Sequence, residues 1–258
     1  MLILISPAKT LDFDTQARVR THTQPRFLDH SQQLVELLRA QSPADLADLM
    51  KISSTLADLN YRRFGEWSQP FTPDNAKQAV LAFRGDVYTG LQADQWQRAD
   101  HTFAQRHLRI LSGLYGVLRP LDLIQPYRLE MGTRLATERG RDLYAFWGDR
   151  LTHALAAELE GRRSPMVVNL ASNEYWHAVN PTALGARVIT PTFKDWSRGS
   201  YRFVSFHAKK ARGMMASWII RERITTIDGL TDFAAAGYRF LEEESQPEAP
   251  VFVRRLEQ

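Results

Sequence analysis

Side chains that can carry acid–base chemistry or hold an anion follow three apolar, strand-like runs of this sequence. The runs cover residues 2–5, 165–170 and 201–206. Parallel strands end at one edge of a sheet, and open α/β sheets bind their ligands at that edge. If the three strands are parallel, we therefore expect the polar residues at their ends to converge. These residues are Ser6, Lys9, Asn169, Ser172, Glu174, Tyr175, His207, Lys209 and Lys210.

A pocket built from these groups suits a nucleotide or a nucleobase, including one flipped out of a duplex. Burial of Lys9 beside Ser6 and Glu174 would lower the lysine pKa, and Glu174 could then act as an acid or a base. The alternatives are structural. Ser172 has the character of a helix N-cap, and Lys9 could be a solvated lysine in a surface turn.

Sequence fingerprints of catalysis are absent. The chain contains no GxSxG, Walker A, GxGxxG or HExxH motif, and no nucleophile–base pair can be recognised. We therefore favour a binding protein over an enzyme and expect no cofactor. The seven histidines are scattered and cysteine is absent, which removes thiol chemistry and cysteine-held zinc or iron–sulfur centres. We expect no metal site.

The most basic segment, residues 207–224, has the sequence HAKKARGMMASWIIRERI and fits an amphipathic helix. If this helix begins near Ala208, its first turns contain Lys209, Lys210 and Arg212, and each cation opposes the helix dipole by about 0.3–1 kcal/mol. A sequence that accepts this cost indicates a surface that collects positive potential for an anion. The alternative is a helix that begins near Gly213, with the cations in a solvated loop.

A Gly-x-x-Gly corner at Gly113 and Gly116 lies between two apolar runs and predicts a tight connection between two helices. In a helix-hairpin-helix module, the free amides of such a corner face a nucleic-acid phosphate. Arg119 and Arg128 follow the corner and would add charge to the same surface. The alternative is an ordinary helix connection without a ligand.

The surrounding elements predict an α/β fold of mixed α+β character, with a central mixed sheet flanked by helices and one compact domain over residues 1–258. Leucine spacing predicts two helices over residues 28–59, the second capped by Ser42-Pro43, and a third helical run over 53–64. Residues 14–26 are expected to form an extended loop. Longer helices are predicted over residues 96–111 and 143–159, and short strands over 187–193 and 251–253.

Charge and hydropathy limit the partners and the location. The 258 residues have a formal net charge of +4 and a pI near 9.4, which permits an anionic partner such as DNA. No run approaches the roughly 18 apolar residues of a membrane helix, and the N-terminal residues lack the pattern of a secretory signal. We expect a cytoplasmic monomer with no membrane partner.

Six blocks of the sequence, in order, resemble the YaaA family of bacterial peroxide stress resistance proteins. They are LILISPAKTLDF, LAFRGDVYTGL, LSGLYGVLRPLDLIQPYRLEMG, LYAFWGD, NLASNEY and SFHAKKARGMM. The similarity spans nearly the whole chain, and the long central block is highly specific.

The resemblance implies a cytoplasmic protein of mixed α/β fold that limits damage from hydrogen peroxide through lowered intracellular iron. It also implies binding of duplex or distorted DNA, without sequence specificity, through a basic cleft with a helix-hairpin-helix element. By position, the hairpin would contain Gly113, Gly116 and Arg119, and the cleft would be lined by Lys9, Arg128, Lys209, Lys210 and Arg212. The alternatives are an enzyme acting on a nucleotide or nucleobase at the strand ends, and direct sequestration of iron by carboxylates.

Overall fold

A computed structural model of the protein describes residues 1–255, so the last three residues of the expected 1–258 domain lie outside the described part. In chain order its strands are β1 (Leu2–Ile5), β2 (Thr10–Leu11), β3 (Lys77–Gln78), β4 (Phe83–Arg84), β5 (Leu108–Ser112), β6 (Gly116–Leu118), β7 (Leu123–Ile124), β8 (Met166–Leu170), β9 (Arg187–Ile189), β10 (Thr192–Ser197), β11 (Ser200–Arg202), β12 (Arg239–Phe240) and β13 (Val251–Arg254). Its α-helices are α1 (Leu28–Arg39), α2 (Pro43–Met50), α3 (Ser54–Glu66), α4 (Ala79–Ala82), α5 (Asp86–Leu91), α6 (Arg98–His107), α7 (Leu143–Trp147), α8 (Arg150–Leu159), α9 (Asn173–Trp176) and α10 (Ser205–Arg221). Short 3-10 turns cover Ala93–Gln95, Thr182–Leu184, Asp228–Asp232, Ala235–Gly237 and Glu242–Glu244.

The central sheet has the strand order β6-β5-β1-β8-β9. Strand β1 pairs in parallel with β5 and β8, β9 is parallel to β8, and β6 is antiparallel to β5. All four aliphatic residues of β1 are fully buried, because the strand lies in the middle of the sheet with both faces covered. The predicted α/β fold with a central mixed sheet is confirmed.

A second sheet has the order β11-β10-β13-β12. Strand β10 is parallel to β13, while β11 and β12 pair antiparallel with their neighbours. Helix α10 begins three residues after the end of β11 and contacts β10 of this sheet as well as β1 and β8 of the central sheet. The second sheet therefore delivers the basic segment to the central strands.

Helix α10 begins at Ser205, so the basic residues lie in its first turns and the alternative start near Gly213 is wrong. The helix packs backbone to backbone against α5 through two glycines. A Cβ on Gly213 would lie 1.8 Å from the Val87 carbonyl oxygen, and a Cβ on Gly90 would lie 2.1 Å from the Lys210 carbonyl oxygen. Glycine at both positions permits this close approach and fixes α10 against α5.

The Gly-x-x-Gly corner is a β-hairpin, so the prediction of two helices joined there, and with it a helix-hairpin-helix at Gly113 and Gly116, is wrong. Strands β5 and β6 pair antiparallel on either side of it. The Gly113 carbonyl accepts a hydrogen bond from the Trp147 indole at 3.0 Å. Gly116 has a φ of +70°, and a Cβ there would lie 2.9 Å from the Trp147 ring. Both glycines are buried, so their amides do not face solvent.

Arg119, which follows the same corner, has structural partners. Its guanidinium lies 3.0 Å from the buried Asp122 carboxylate and donates to the Gln24 carbonyl at 3.0 Å. These bonds hold the segment after β6 against the loop that precedes α1. Arg119 therefore lies apart from the strand ends where the other basic residues were expected.

Other element boundaries also differ from expectation. The helix predicted over residues 96–111 ends at His107, where β5 takes over. The helix predicted over 143–159 is interrupted at Gly148, whose φ of +48° and ψ of −133° cannot continue a helix. Helices α1, α2 and α3 confirm the leucine spacing, and Ser42 caps α2 in a reciprocal capping box with Asp45.

Asp12 anchors the extended loop that follows β2. Its carboxylate accepts the Thr15 N–H at 2.8 Å, and it lies 2.8 Å from the Arg84 guanidinium and 3.6 Å from the Lys77 ammonium. The bond from the Thr15 backbone, helped by both cations, holds the pKa of Asp12 well below its ordinary value of 3.8. The folded state therefore favours the ionised carboxylate.

We expect Asp12→Asn to lower the free energy of unfolding by about 1 kcal/mol at neutral pH, the range of charge-assisted hydrogen bonds that solvent partly screens. Because the folded-state pKa is lowered, this stabilisation is present above pH 3.8 and disappears as the pH falls towards the folded value. Urea unfolding of both proteins between pH 7 and pH 3 measures the difference. Asp48→Asn, at an exposed position on α2, is the control. If Asp12→Asn lowered the free energy of unfolding by the same amount from pH 7 to pH 3, the lowered pKa assigned to Asp12 would be contradicted.

Candidate functional site

The carboxyl ends of β1 and β8 open into a cavity of about 590 Å³, which we call the strand-end cleft. Its walls come from the segments that follow β1, β7 and β8, from the start of α5 and from the first turns of α10. Eight of the residues singled out in the sequence line it: Ser6, Lys9, Arg128, Ser172, Glu174, Tyr175, Lys209 and Arg212.

Other residues singled out in the sequence lie outside this cleft. The Asn169 side chain accepts a hydrogen bond from the Ala171 N–H at 3.1 Å and shapes the turn after β8. The Lys210 backbone faces Gly90 of α5. His207 lies with its Nδ1 atom 3.3 Å from the Asp195 carboxylate of β10. Absent from the cleft lining are Asn169, His207, Lys210, Gly113, Gly116 and Arg119.

The floor of the cleft is a set of hydroxyl groups that joins β1 to β8. The Ser6 hydroxyl accepts the Ser172 N–H at 2.8 Å and donates to the Ser172 hydroxyl at 3.3 Å. Tyr88 donates to the Ser6 carbonyl at 3.1 Å, and burial keeps the pKa of this tyrosine well above its ordinary range. Ser172 occupies the N-cap position of α9, but its side chain makes no capping bond, because its hydroxyl turns to Ser6.

Three carboxylates line the cleft, those of Asp86, Glu130 and Glu174, and the last two have different partners. Glu130 bridges two cations, with the Lys9 ammonium 2.7 Å away and the Arg128 guanidinium 3.1 Å away. Glu174 accepts the Gly132 N–H at 2.9 Å through one oxygen. The Lys9 side chain is 61% exposed, so the burial required by the hypothesis of a lowered lysine pKa is absent.

The cations of α10 face the cleft along one side of the helix. Ser205, Lys209 and Arg212 are spaced at i, i+4 and i+7, which places them on one helix face. Within residues 1–255, neither Lys209 nor Arg212 has a carboxylate within 4.0 Å. Arg212 is half-buried, and desolvation lowers the pKa of its guanidinium below the ordinary value.

An aromatic side chain stands at the edge of these cations. Phe203 lines the cleft and is 57% exposed, and Phe206 in the first turn of α10 is 58% exposed. Large apolar side chains are rarely left this exposed close together without a partner. The cleft therefore combines positive charge with an open aromatic face.

A helical hairpin lies elsewhere in the chain. Helices α2 and α3 pack against each other and are joined by residues 51–53. Lys51 adopts a left-handed φ of +53°, and Ser53 caps α3 by accepting the Leu56 N–H. A glycine pattern could not reveal this corner, because lysine occupies its left-handed position.

Residues 1–255 provide neither a cluster of metal ligands nor a membrane-spanning helix. They contain no group of three or more histidine or carboxylate side chains arranged to hold a metal ion. No helix within them is both long and apolar enough to cross a bilayer.

Comparison with known proteins gives the family. A family model described as peroxide stress protein YaaA matches residues 1–244. The chain belongs to this family. A UPF0246 protein of Cellvibrio japonicus is 58% identical, with 98% of each chain covered. UPF0246 proteins of Burkholderia lata and Burkholderia mallei are each 55% identical, with 99% of each chain covered. The expected membership of the YaaA family is thus confirmed.

Proposed function

We propose that this YaaA-family protein binds DNA, duplex or distorted, through the strand-end cleft as part of the peroxide stress response. The observation that carries the proposal is the pair Lys209 and Arg212, two cations on one face of α10 with no carboxylate within 4.0 Å among the described residues. DNA presents a dense row of phosphates, and basic side chains without internal partners are available to neutralise them.

The exposed Phe203 beside these cations supports nucleic acid over other polyanions. Proteins that hold unpaired nucleotides combine a basic groove with aromatic rings on which bases stack. A distorted duplex offers unpaired or unstacked bases to such a ring, whereas an acidic peptide offers none. The cleft chemistry therefore favours DNA whose bases are locally accessible.

The α2–α3 hairpin is a second surface that we assign to DNA. The N-terminal amides of α3 and the ammonium of Lys51 lie at one corner of this hairpin. Helix N-termini bind phosphate through free N–H groups and the helix dipole. In our proposal this hairpin contacts the backbone, in place of the glycine corner that the sequence suggested.

The cellular role that we propose follows the family. Bound DNA would be protected during exposure to hydrogen peroxide, and the protein would limit oxidative damage by lowering intracellular iron. The family description, peroxide stress protein, supports the stress role.

Replacing Lys209 and Arg212 together with alanine is expected to weaken DNA binding by about tenfold or more and to reduce the salt slope by about 2. Each phosphate contact contributes about −0.9 to the slope of log affinity against log salt for duplex DNA. Fluorescence anisotropy titrations at several salt concentrations measure both quantities. Lys210→Ala is the control, because it removes one positive charge from the same part of the helix but outside the cleft. Equal affinities and slopes for wild type and the double variant would refute the cleft assignment.

A second candidate is an enzyme that acts on a nucleotide or nucleobase in the same cleft. The observation that favours it is Glu174, whose carboxylate is oriented by a single backbone bond beside the buried Tyr175. A carboxylate held in this way can act as a general acid or base. Incubation with nucleosides, nucleotides and bulged DNA, followed by chromatography, would detect a product. Turnover by wild type that Glu174→Gln loses would establish the activity, and no turnover would reject it.

A further inference from the structure

We infer that the strand-end cleft binds a phosphomonoester, the doubly charged phosphate carried by the end of a DNA strand or by a free nucleotide. The inference deepens the proposed function and rests on it, because it names the part of the nucleic acid that enters the cleft. The group would lie against the first turns of α10, in contact with Ser205, Lys209 and Arg212.

The cleft is lined by five basic side chains and three acidic ones. Glu130 engages both Lys9 and Arg128, and Arg84 pairs with Asp12 at 2.8 Å. Lys209 and Arg212 are left without an ion-pair partner among the described residues, as are the carboxylates of Asp86 and Glu174 elsewhere in the lining. A phosphomonoester carries about −1.5 to −2 at neutral pH, so two cations on one helix face attract it more strongly than they attract the single charge of a phosphodiester.

The first turn of α10 leaves backbone amides without helical acceptors. Val204 stands at the N-cap position and makes no side-chain cap, and the first N–H bonded within the helix is that of Ala208, to the Val204 carbonyl at 2.9 Å. The amides of the three residues before Ala208 therefore lack a helical acceptor. This helix has 17 residues, so its dipole adds to the field of the two cations.

Arg128 lines the cleft from a second segment, the one that follows β7. The Nε atom of Arg128 is buried and has no hydrogen-bond partner, although the same guanidinium binds Glu130 through another nitrogen. The cations thus line the cleft from two segments, the start of α10 and the residues after β7.

The shape of the cleft favours the end of a DNA strand over a continuous strand. A cavity of about 590 Å³ has the size range of small-ligand pockets and suits one nucleotide unit. A strand terminus can enter such a cavity, whereas an uninterrupted duplex must cross its rim. Phe203 at the rim offers a stacking face for the base attached to the phosphate.

The test compares DNAs of one sequence that differ only at their ends: 5′-phosphate, 3′-phosphate, hydroxyl ends, and a closed dumbbell with no ends. We expect wild type to bind a phosphorylated end about tenfold more tightly than a hydroxyl end, as charge-assisted hydrogen bonds predict. Lys209→Ala, at an exposed position, should remove this preference. Arg212→Lys should weaken it, and Lys210→Ala should retain it.

The outcomes separate this inference from the proposed function. Equal affinity for all ends, with tight dumbbell binding, overturns the inference and leaves DNA binding in place. Preference for phosphorylated ends without dumbbell binding supports the inference and rejects backbone binding as the general mode. Binding to none of the DNAs or nucleotides rejects both.

A competition experiment identifies the source of the phosphate. Deoxyadenosine monophosphate that displaces phosphorylated ends, where deoxyadenosine does not, indicates that free nucleotides share the site. Failure of the nucleotide to compete, with the end preference retained, restricts the ligand to DNA ends.

Discussion

Gly213→Ala is expected to destabilise the protein by about 3 kcal/mol or more and to disrupt the strand-end cleft. The new Cβ would lie 1.8 Å from the Val87 carbonyl oxygen and 2.8 Å from the Leu91 nitrogen, both backbone atoms of α5. Backbone atoms cannot rotate away as a side chain can, so the two helices must separate. Overpacking in a close contact costs about 1–3 kcal/mol and sometimes more. Urea denaturation followed by circular dichroism measures the loss.

The same variant tests how the cations are positioned. Helix α10 places Lys209 and Arg212 over the cleft, so a shift of this helix away from α5 should also weaken DNA binding. Gly65→Ala is the matched control, since Gly65 lies in α3 with no atom within 4 Å of its added Cβ. We expect Gly65→Ala to raise the free energy of unfolding by up to about 1 kcal/mol, because alanine has a higher helix propensity than glycine. Similar stabilities for both variants would contradict the proposed packing.

The sequence was informative about the two central strands. The aliphatic run before Ser6 and the MVVNL run before Ala171 have the length and composition of strands buried on both faces, and the structure places both inside the central sheet. Because both strands are parallel, the polar residues after them share one edge. The position of the cleft could therefore be predicted from strand ends alone.

Before the glycine corner, the spacing of apolar residues could not distinguish a strand from a helix. Leu108, Ile110 and Leu111 continue the apolar side of α6, so the sequence favours one long helix there. A short apolar run has the same composition in a buried strand and in a buried helix. The choice is made by tertiary contacts, since β5 pairs with β1 on one side and with β6 on the other.

Contacts between residues far apart in the chain could not be predicted from the sequence. Nothing in the sequence near Lys9 indicates that Glu130 will bind it. In the structure Lys9 is exposed and paired with Glu130, whereas the sequence suggested burial beside Glu174. The left-handed Lys51 in the α2–α3 corner carries no glycine signal. Such features depend on contacts between residues far apart in the chain, which spacing does not encode.

Arg254→Ala is expected to lower the free energy of unfolding by about 3 kcal/mol. The Arg254 guanidinium binds the Asp195 carboxylate at 2.6 and 2.7 Å, and Asp195 is only 5% exposed. Removing one partner of a buried ion pair leaves the other charge buried without compensation, which costs about 3–5 kcal/mol. Tyr238 still donates to Asp195 at 2.9 Å, and His207 lies 3.3 Å away, so the cost should fall at the lower end.

Lys194→Ala on the same strand provides the control. Lys194 pairs with Glu244 where both side chains remain partly exposed, and exposed ion pairs contribute about 0–1 kcal/mol. Asp195 also lies against His207 in the first turn of α10, so the second sheet holds the end of the helix that faces the cleft. Arg254→Ala should therefore weaken DNA binding as well as stability, whereas Lys194→Ala should change neither. Urea unfolding and fluorescence anisotropy on the same preparations measure stability and DNA affinity. Equal losses of stability in the two variants would mean that Asp195 needs no buried partner.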